Sequence, residues 1–186
     1  MSPDVKTKKG DLSLKIGILD SGLGGLSVLH RAMQRFPGVT YLYYADRAHV
    51  PYGEKTPEEV LGFVREALRF LERQGAEAFV IACNTATSVA AATLREELDI
   101  PVIGMEPALK PAALARKDGN ILVMATPMTL SLPKFQKLMD VYGEGAIPVP
   151  CPGLMDLVEA KNWTGCKAYL QDLFNHYDMD RVDGIV

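Results

Sequence analysis

A thiol, a carboxylate and several hydroxyls stand in this sequence where apolar runs give way to polar turns. The longest unbroken apolar run, Ala78 to Cys83, is followed at once by Asn84-Thr85-Ala86-Thr87. A thiol at the carboxyl end of a buried parallel strand sits where α/β sheets place ligands. A helix starting directly after it brings a positive dipole end and free amides, which favour the thiolate, the form that acts as base or nucleophile. Asn84 and Thr85 supply donors for a carboxylate whose charge grows during reaction. A single cysteine in an apolar strand is more often inert packing, and the polar tail after Cys83 argues against that here.

A second candidate, Asp20-Ser21-Gly22-Leu23-Gly24-Gly25, also follows an apolar strand and opens a helix, so its amides and hydroxyl could hold an anion. The same residues fit a plain strand-to-helix turn. Neither the dinucleotide spacing G-x-G-x-x-G nor a P-loop Gly-Lys-Ser/Thr is present. Pro51-Tyr52-Gly53 could wrap a small ligand with backbone amides and the phenol, or form an ordinary turn. Thr126-Pro127-Met128-Thr129 offers two more hydroxyls, although either Thr126 or Thr129 could equally cap the next helix. Cys151 lies at another strand end and Cys166 within an expected helix, neither with a polar tail.

The elements that must position these residues alternate. Strands are expected near residues 15–19, 39–45, 78–82, 101–103, 120–124, 147–149 and 184–186, with helices over 25–35, 57–74, 87–97, 107–116, 130–142, 154–161 and 165–177. Such alternation implies parallel sheets. The strongest helix signal is at Pro57, where Thr56 and Glu59 form a capping box, Pro57 suits the first helical position and Gly75 the stop. A faint repeat relates Ile16–Gly22 to Ile121–Pro127, and Ala76–Cys83 to Arg181–Val186. In that register Ser21 matches Thr126, and the counterpart of Cys83 falls just beyond Val186.

Composition excludes several classes. With 48% hydrophobic and 23% charged residues among 186, the chain is neither disordered nor collagenous. Twenty Lys and Arg against 23 Asp and Glu, with no basic block, argue against nucleic acid as the main partner. No apolar run approaches a membrane span. Three cysteines without C-x-x-C spacing point to reduced thiols in cytoplasm, and the scattered His30, His49 and His176 give no metal-ligand pattern. Residues 1–14 are polar and charged and are expected to form a flexible leader.

Taken together, Asp20-Ser21-Gly22-x-Gly24-Gly25, Pro51-Tyr52-Gly53, Cys83-Asn84-Thr85-Ala86 and Leu157-Val158-Glu159 resemble the glutamate racemases of the cofactor-independent amino-acid racemase superfamily. The resemblance runs from Lys15 to Val186. It implies an α/β fold of two similar doubly wound parallel-sheet domains with the active site between them, here residues 15–105 and an incomplete 106–186. It also implies interconversion of L- and D-glutamate without a cofactor or metal, the D-enantiomer serving bacterial peptidoglycan and cell-wall biogenesis. Cys83 matches the cysteine that takes the α-proton from one face, and Asp20 a carboxylate beside it. Ser21, Pro51, Tyr52, Gly53, Asn84, Thr85, Thr126 and Thr129 match substrate-binding positions. Glu159 resembles the acidic residue supporting a histidine beside a second cysteine.

That second motif, Gly-Cys-Thr-His, would follow Val186, as would a segment returning to the first domain. The chain is therefore expected to be a truncated racemase, inactive as it stands. The alternative is a non-catalytic glutamate-binding or interaction protein derived from one. The implied partner is glutamate, with room for a homodimer, and neither nucleic acid nor membrane. Two opposed thiols suit the chemistry, because they keep the inversion geometry fixed where a single base would have to change faces.

Overall fold

The computed structural model describes residues 13–186, so residues 1–12 of the expected leader lie outside the described residues. Ser13 and Leu14 are tied to the fold: the Ser13 and Thr40 hydroxyls lie 2.6 Å apart, and the Thr40 amide donates to the Leu14 carbonyl.

The first sheet is built from β1 (Lys15–Asp20), β2 (Thr40–Ala45), β3 (Ala78–Ile81) and β4 (Val102–Gly104), all parallel, in the order β2-β1-β3-β4. Helices α1 (Gly25–Arg35), α2 (Pro57–Arg73) and α3 (Asn84–Glu97) connect them. The chain moves outward from β1 to β2 and then returns to the other side of β1, which opens a crevice at the carboxyl ends of β1 and β3. Leu19 pairs with Ile81, so the turns carrying Ser21 and Cys83 leave the sheet side by side.

The second sheet repeats the plan with β5 (Asn120–Ala125), β6 (Ala146–Pro150) and β7 (Val182–Ile185) in the order β6-β5-β7. Around it lie α4 (Leu109–Ala115), α5 (Pro127–Ser131), α6 (Pro133–Tyr142), α7 (Leu154–Glu159) and α8 (Trp163–Phe174). Side chains alternate across β5: Ile121 and Val123 join Leu109 and Phe135 on one face, while Leu122 joins Val149 and Cys151 on the other. Both faces are buried, as a doubly wound parallel sheet requires.

Helix α2 has the expected capping box, with the Glu59 amide donating to Thr56 Oγ1 and the Thr56 amide to the Glu59 carboxylate. Its face of Val60, Val64, Ala67, Leu68 and Leu71 is buried against Phe79 and Ile81 of β3 and Leu94 of α3. Each fully buried Val or Leu there contributes about 1.5–3 kcal/mol.

Three helices depart from expectation, the simplest case being α8, which starts two residues before the expected 165 and ends at Phe174, three short of 177. The stretch 130–142 is not one helix but the end of α5 and all of α6, broken at Leu132, whose ψ of 146° is extended. Pro133 is the reason, because its ring disfavours helical geometry in the residue before it. Helix α3 begins at Asn84, three residues earlier than expected at Thr87, which makes Cys83 its N-cap. Among the described residues no helix is long and apolar enough to cross a membrane, and no cluster of His, Cys, Asp and Glu could hold a metal ion.

Candidate active site

Strand β3 ends at Ile81, and Cys83 leaves it in extended geometry (φ −81°, ψ 125°) before α3 turns away. Its sulfur therefore faces the first turn of α3 and accepts from the Ala86 amide at 3.4 Å. Across the switch point, Ser21 Oγ donates to the same sulfur at 3.5 Å. Asp20 is buried and accepts from the Gly22 amide at 3.1 Å, which shapes the turn that presents Ser21.

Burial is the largest influence on the Cys83 thiol and pushes its pKa up; the nearby Asp20 carboxylate adds to this, while the Ala86, Ser21 and Thr85 donors pull it down. The expectation that helix and amides alone would favour thiolate is thereby corrected: desolvation of the charged sulfur outweighs them. The protein's own groups hold Cys83 protonated at neutral pH.

Opposite Cys83 stands a triangle of hydroxyls from both sheets' connections. Thr85 Oγ1 lies 2.9 Å from Thr129 Oγ1 and 3.2 Å from Thr126 Oγ1, and the latter two are 3.0 Å apart. Thr126 is also the N-cap of α5, accepting from the Thr129 amide, so the capping and site readings coexist. Asp20, Ser21, Cys83, Asn84, Thr85, Thr126 and Thr129 all line one cavity of about 240 Å³. Met124 and Met155 complete its apolar wall. A larger groove of about 640 Å³ near Lys134 and Lys137 contains no thiol and none of these residues.

The remaining expected residues lie elsewhere. Pro51 and Gly53 line a neighbouring cavity of about 90 Å³ that shares Thr126 and Met155 with the first. Gly53 approaches so closely that a Cβ there would come within 3.0 Å of Thr126 Cβ. The Tyr52 phenol does not reach toward a ligand: it is buried and donates to Asp46 Oδ2 at 2.6 Å. Burial first, then that bond, holds its proton well above the usual tyrosine range. Glu159 lines neither cavity, and its Oε1 accepts from the Leu23 amide at 2.8 Å.

Asp46 escaped sequence reasoning. It is buried at the carboxyl end of β2 and holds both Tyr52 and His49, whose Nδ1 lies 2.8 Å from Asp46 Oδ1. A carboxylate at a parallel strand's carboxyl end was the available signal. Met155 had none, because only the packing of α7 brings it to the cavity. Cys151 is buried beside Val149 and lines the adjoining cavities but not the one with Cys83. Cys166 is buried in α8.

Residues 19–186 match the family model described as Asp/Glu/hydantoin racemase. A glutamate racemase of Clostridium perfringens (strain SM101 / Type A) is 54% identical over 171 residues, covering 89% of this chain and 65% of that protein. A glutamate racemase isoform from Bacillus anthracis superposes with a TM-score of 0.80 at 31% identity, covering 94% of this chain and 67% of that one. The Escherichia coli glutamate racemase, solved with L-glutamate and an activator, superposes with a TM-score of 0.75 at 31% identity, covering 80% and 57%. The chain thus spans about 65% of the length of the first curated relatives it matches.

Proposed function

Since the chain belongs to the Asp/Glu/hydantoin racemase family, we propose that its cleft is that of a glutamate racemase, with Cys83 the thiol that moves the α-proton. The observation that carries this reading is the single cavity uniting Cys83, Asp20, Ser21 and the hydroxyl triangle. The substrate α-ammonium is placed beside the buried Asp20 carboxylate, where its charge offsets the one that raises the Cys83 pKa. The α-carboxylate is placed on the donors of Ser21, Asn84, Thr85, Thr126 and Thr129.

In this geometry the Cys83 thiolate takes the Cα proton and becomes a thiol, and the C–H electron pair moves into the α-carboxylate. Donors aimed at its oxygens stabilise the extra charge. A proton delivered to the opposite face completes inversion. Among the described residues Cys83 is the one thiol lining this cavity, so the 186-residue polypeptide by itself is proposed to lack full racemisation. The same observation favours a second reading, glutamate binding without catalysis. Supply of D-glutamate to bacterial peptidoglycan, in the cytoplasm, is the role proposed for the complete activity.

Calorimetry with L-glutamate, D-glutamate, ATP and NAD tests the site, with circular dichroism verifying the fold. Both enantiomers are expected to bind and the nucleotides not. L-Glutamate in deuterated water is then followed for α-proton loss and optical inversion. Cys83-dependent exchange supports the enzyme reading; binding without exchange supports the second. A folded chain that binds neither enantiomer overturns both.

A further inference from the structure

Thr87 is buried in the first turn of α3, and its side chain bonds in an unusual direction. A helical threonine ordinarily donates to the carbonyl three or four residues back. The Thr87 amide donates to the Cys83 carbonyl at 2.9 Å, as the helix requires. Its hydroxyl instead passes out of the helix and donates to the carbonyl of Ile81, the last residue of β3, at 3.0 Å. Thr87 thus holds the turn at both ends, at Ile81 and at Cys83 itself. The same hydroxyl oxygen accepts from the Met105 amide at 3.0 Å, where the chain leaves β4 for the second half. Beside Met105, the Glu106 carboxylate lies 2.9 Å from Lys134 Nζ of α6. Gly104 makes room for this junction, since a Cβ there would overlap the Thr87 methyl.

We propose that Thr87 is a positioning residue for Cys83, its hydroxyl tying the first turn of α3 to the end of β3 and to the start of the connection into the second half. A hydroxyl placed only to satisfy the Ile81 carbonyl would be redundant, because that carbonyl already accepts from the Met105 amide at 3.0 Å. What the hydroxyl adds is a bond across the turn that carries the sulfur. The sulfur needs it because its contacts with the Ala86 amide and Ser21 Oγ, at 3.4 and 3.5 Å, are already long, and further lengthening would lose them. The same turn carries Thr85, whose hydroxyl meets Thr126 and Thr129, so one anchor serves both walls of the cleft. The inference rests on the racemase reading for its consequence in catalysis, though not for the anchoring of the sulfur.

The test is the pH–rate curve for iodoacetamide alkylation of Cys83, followed by mass spectrometry on the 186-residue chain, with circular dichroism verifying the fold. Thr87→Val keeps the side-chain shape and leaves the Met105 amide and Ile81 carbonyl paired with each other. Without the tie the Ala86 contact lengthens, so the midpoint of the curve should move to higher pH and alkylation at pH 8 should slow about threefold. Thr87→Ser returns the hydroxyl without the methyl and should restore the curve. A merely structural residue would lower the Tm of both variants and leave the midpoint in place. An unshifted midpoint in folded Thr87→Val overturns the proposal, and so does a Thr87→Ser midpoint shifted as far as that of Thr87→Val. Should Thr87→Val not fold, Thr87→Ala removes the same hydroxyl and is read by the same two outcomes. Alkylation needs no substrate, so calorimetry with L-glutamate on the unsubstituted chain decides the functional reading separately. Absence of binding refutes that reading, while the midpoint still decides the role of Thr87.

Discussion

Replacing Ser21 by alanine removes one of the donors that hold down the Cys83 pKa, and the consequence can be worked through to a rate. The Ser21 Oγ to Cys83 Sγ separation is 3.5 Å, long even for sulfur. A hydrogen bond to a charged acceptor is worth about 1.5–3 kcal/mol, and this one belongs at the low end. About 1.4 kcal/mol is a factor of ten, so the thiolate fraction at fixed pH should fall about tenfold. The more basic thiolate is also the better nucleophile, with a Brønsted slope of about 0.4–0.5, which returns roughly threefold. Alkylation of Cys83 by iodoacetamide at pH 8, followed on the Cys83 peptide by mass spectrometry, should therefore slow by about threefold. Above the thiol's titration the order reverses, and the alanine variant reacts faster by about the same factor. The two pH–rate curves must cross. Mere widening of the cleft would raise the whole curve without crossing. Asp20→Asn supplies the opposite sign, since the Asp20 charge raises the Cys83 pKa and its removal should speed alkylation at pH 8. Parallel curves for Ser21→Ala, or slower reaction in Asp20→Asn, would refute the account of how this sulfur is poised.

Thr56→Ala removes the Oγ1 that accepts from the Glu59 amide, while the backbone amide of residue 56 can still donate to Glu59; the loss should cost about 1 kcal/mol, lowering Tm by about 2–4 °C in a thermal melt followed by circular dichroism, and an unchanged Tm would show that this hydroxyl adds nothing beyond packing. At alkaline pH, Cys83, Tyr43 and Tyr52 all hold their protons more tightly folded than unfolded, each chiefly through burial. Their contribution to stability is whole below the unfolded values, near 8.5 for a thiol and near 10 for a phenol, and is lost as pH rises from there through the higher folded values. At acid pH the lowered carboxyls of Glu59, Glu97 and Asp183 contribute in the other sense, present above their unfolded values and lost as pH falls through the folded ones. Urea midpoints measured from pH 3 to 11 should trace a dome, and stability that keeps rising above pH 9 would contradict the burial of these groups.

The first six strands were legible in the sequence because each is an apolar run leading into a small or polar turn, a pattern set by local burial, while Val182–Ile185 was legible through the echo of Ala76–Cys83 in Arg181–Val186. The capping box at Thr56 was legible for a similar reason, since its partners stand three residues apart. Cys83 and Asp20-Ser21 stood out because strand ends in parallel sheets are where side chains are left to face ligands. The break at Leu132 is also local, since Pro133 disfavours helical geometry in the residue before it.

Other features belong to the tertiary structure. The hydroxyl triangle joins residues 41 and 44 positions apart, the Tyr52 phenol turns inward to Asp46, and Glu159 docks on a turn 136 residues away. No local pattern encodes such separations, because they depend on how two sheets pack. The protonation of Cys83 shows the division most clearly. Residue types alone pointed to thiolate, from a helix start and nearby donors. Desolvation depends on everything folded around the sulfur, and in the assembled cleft it is the larger effect.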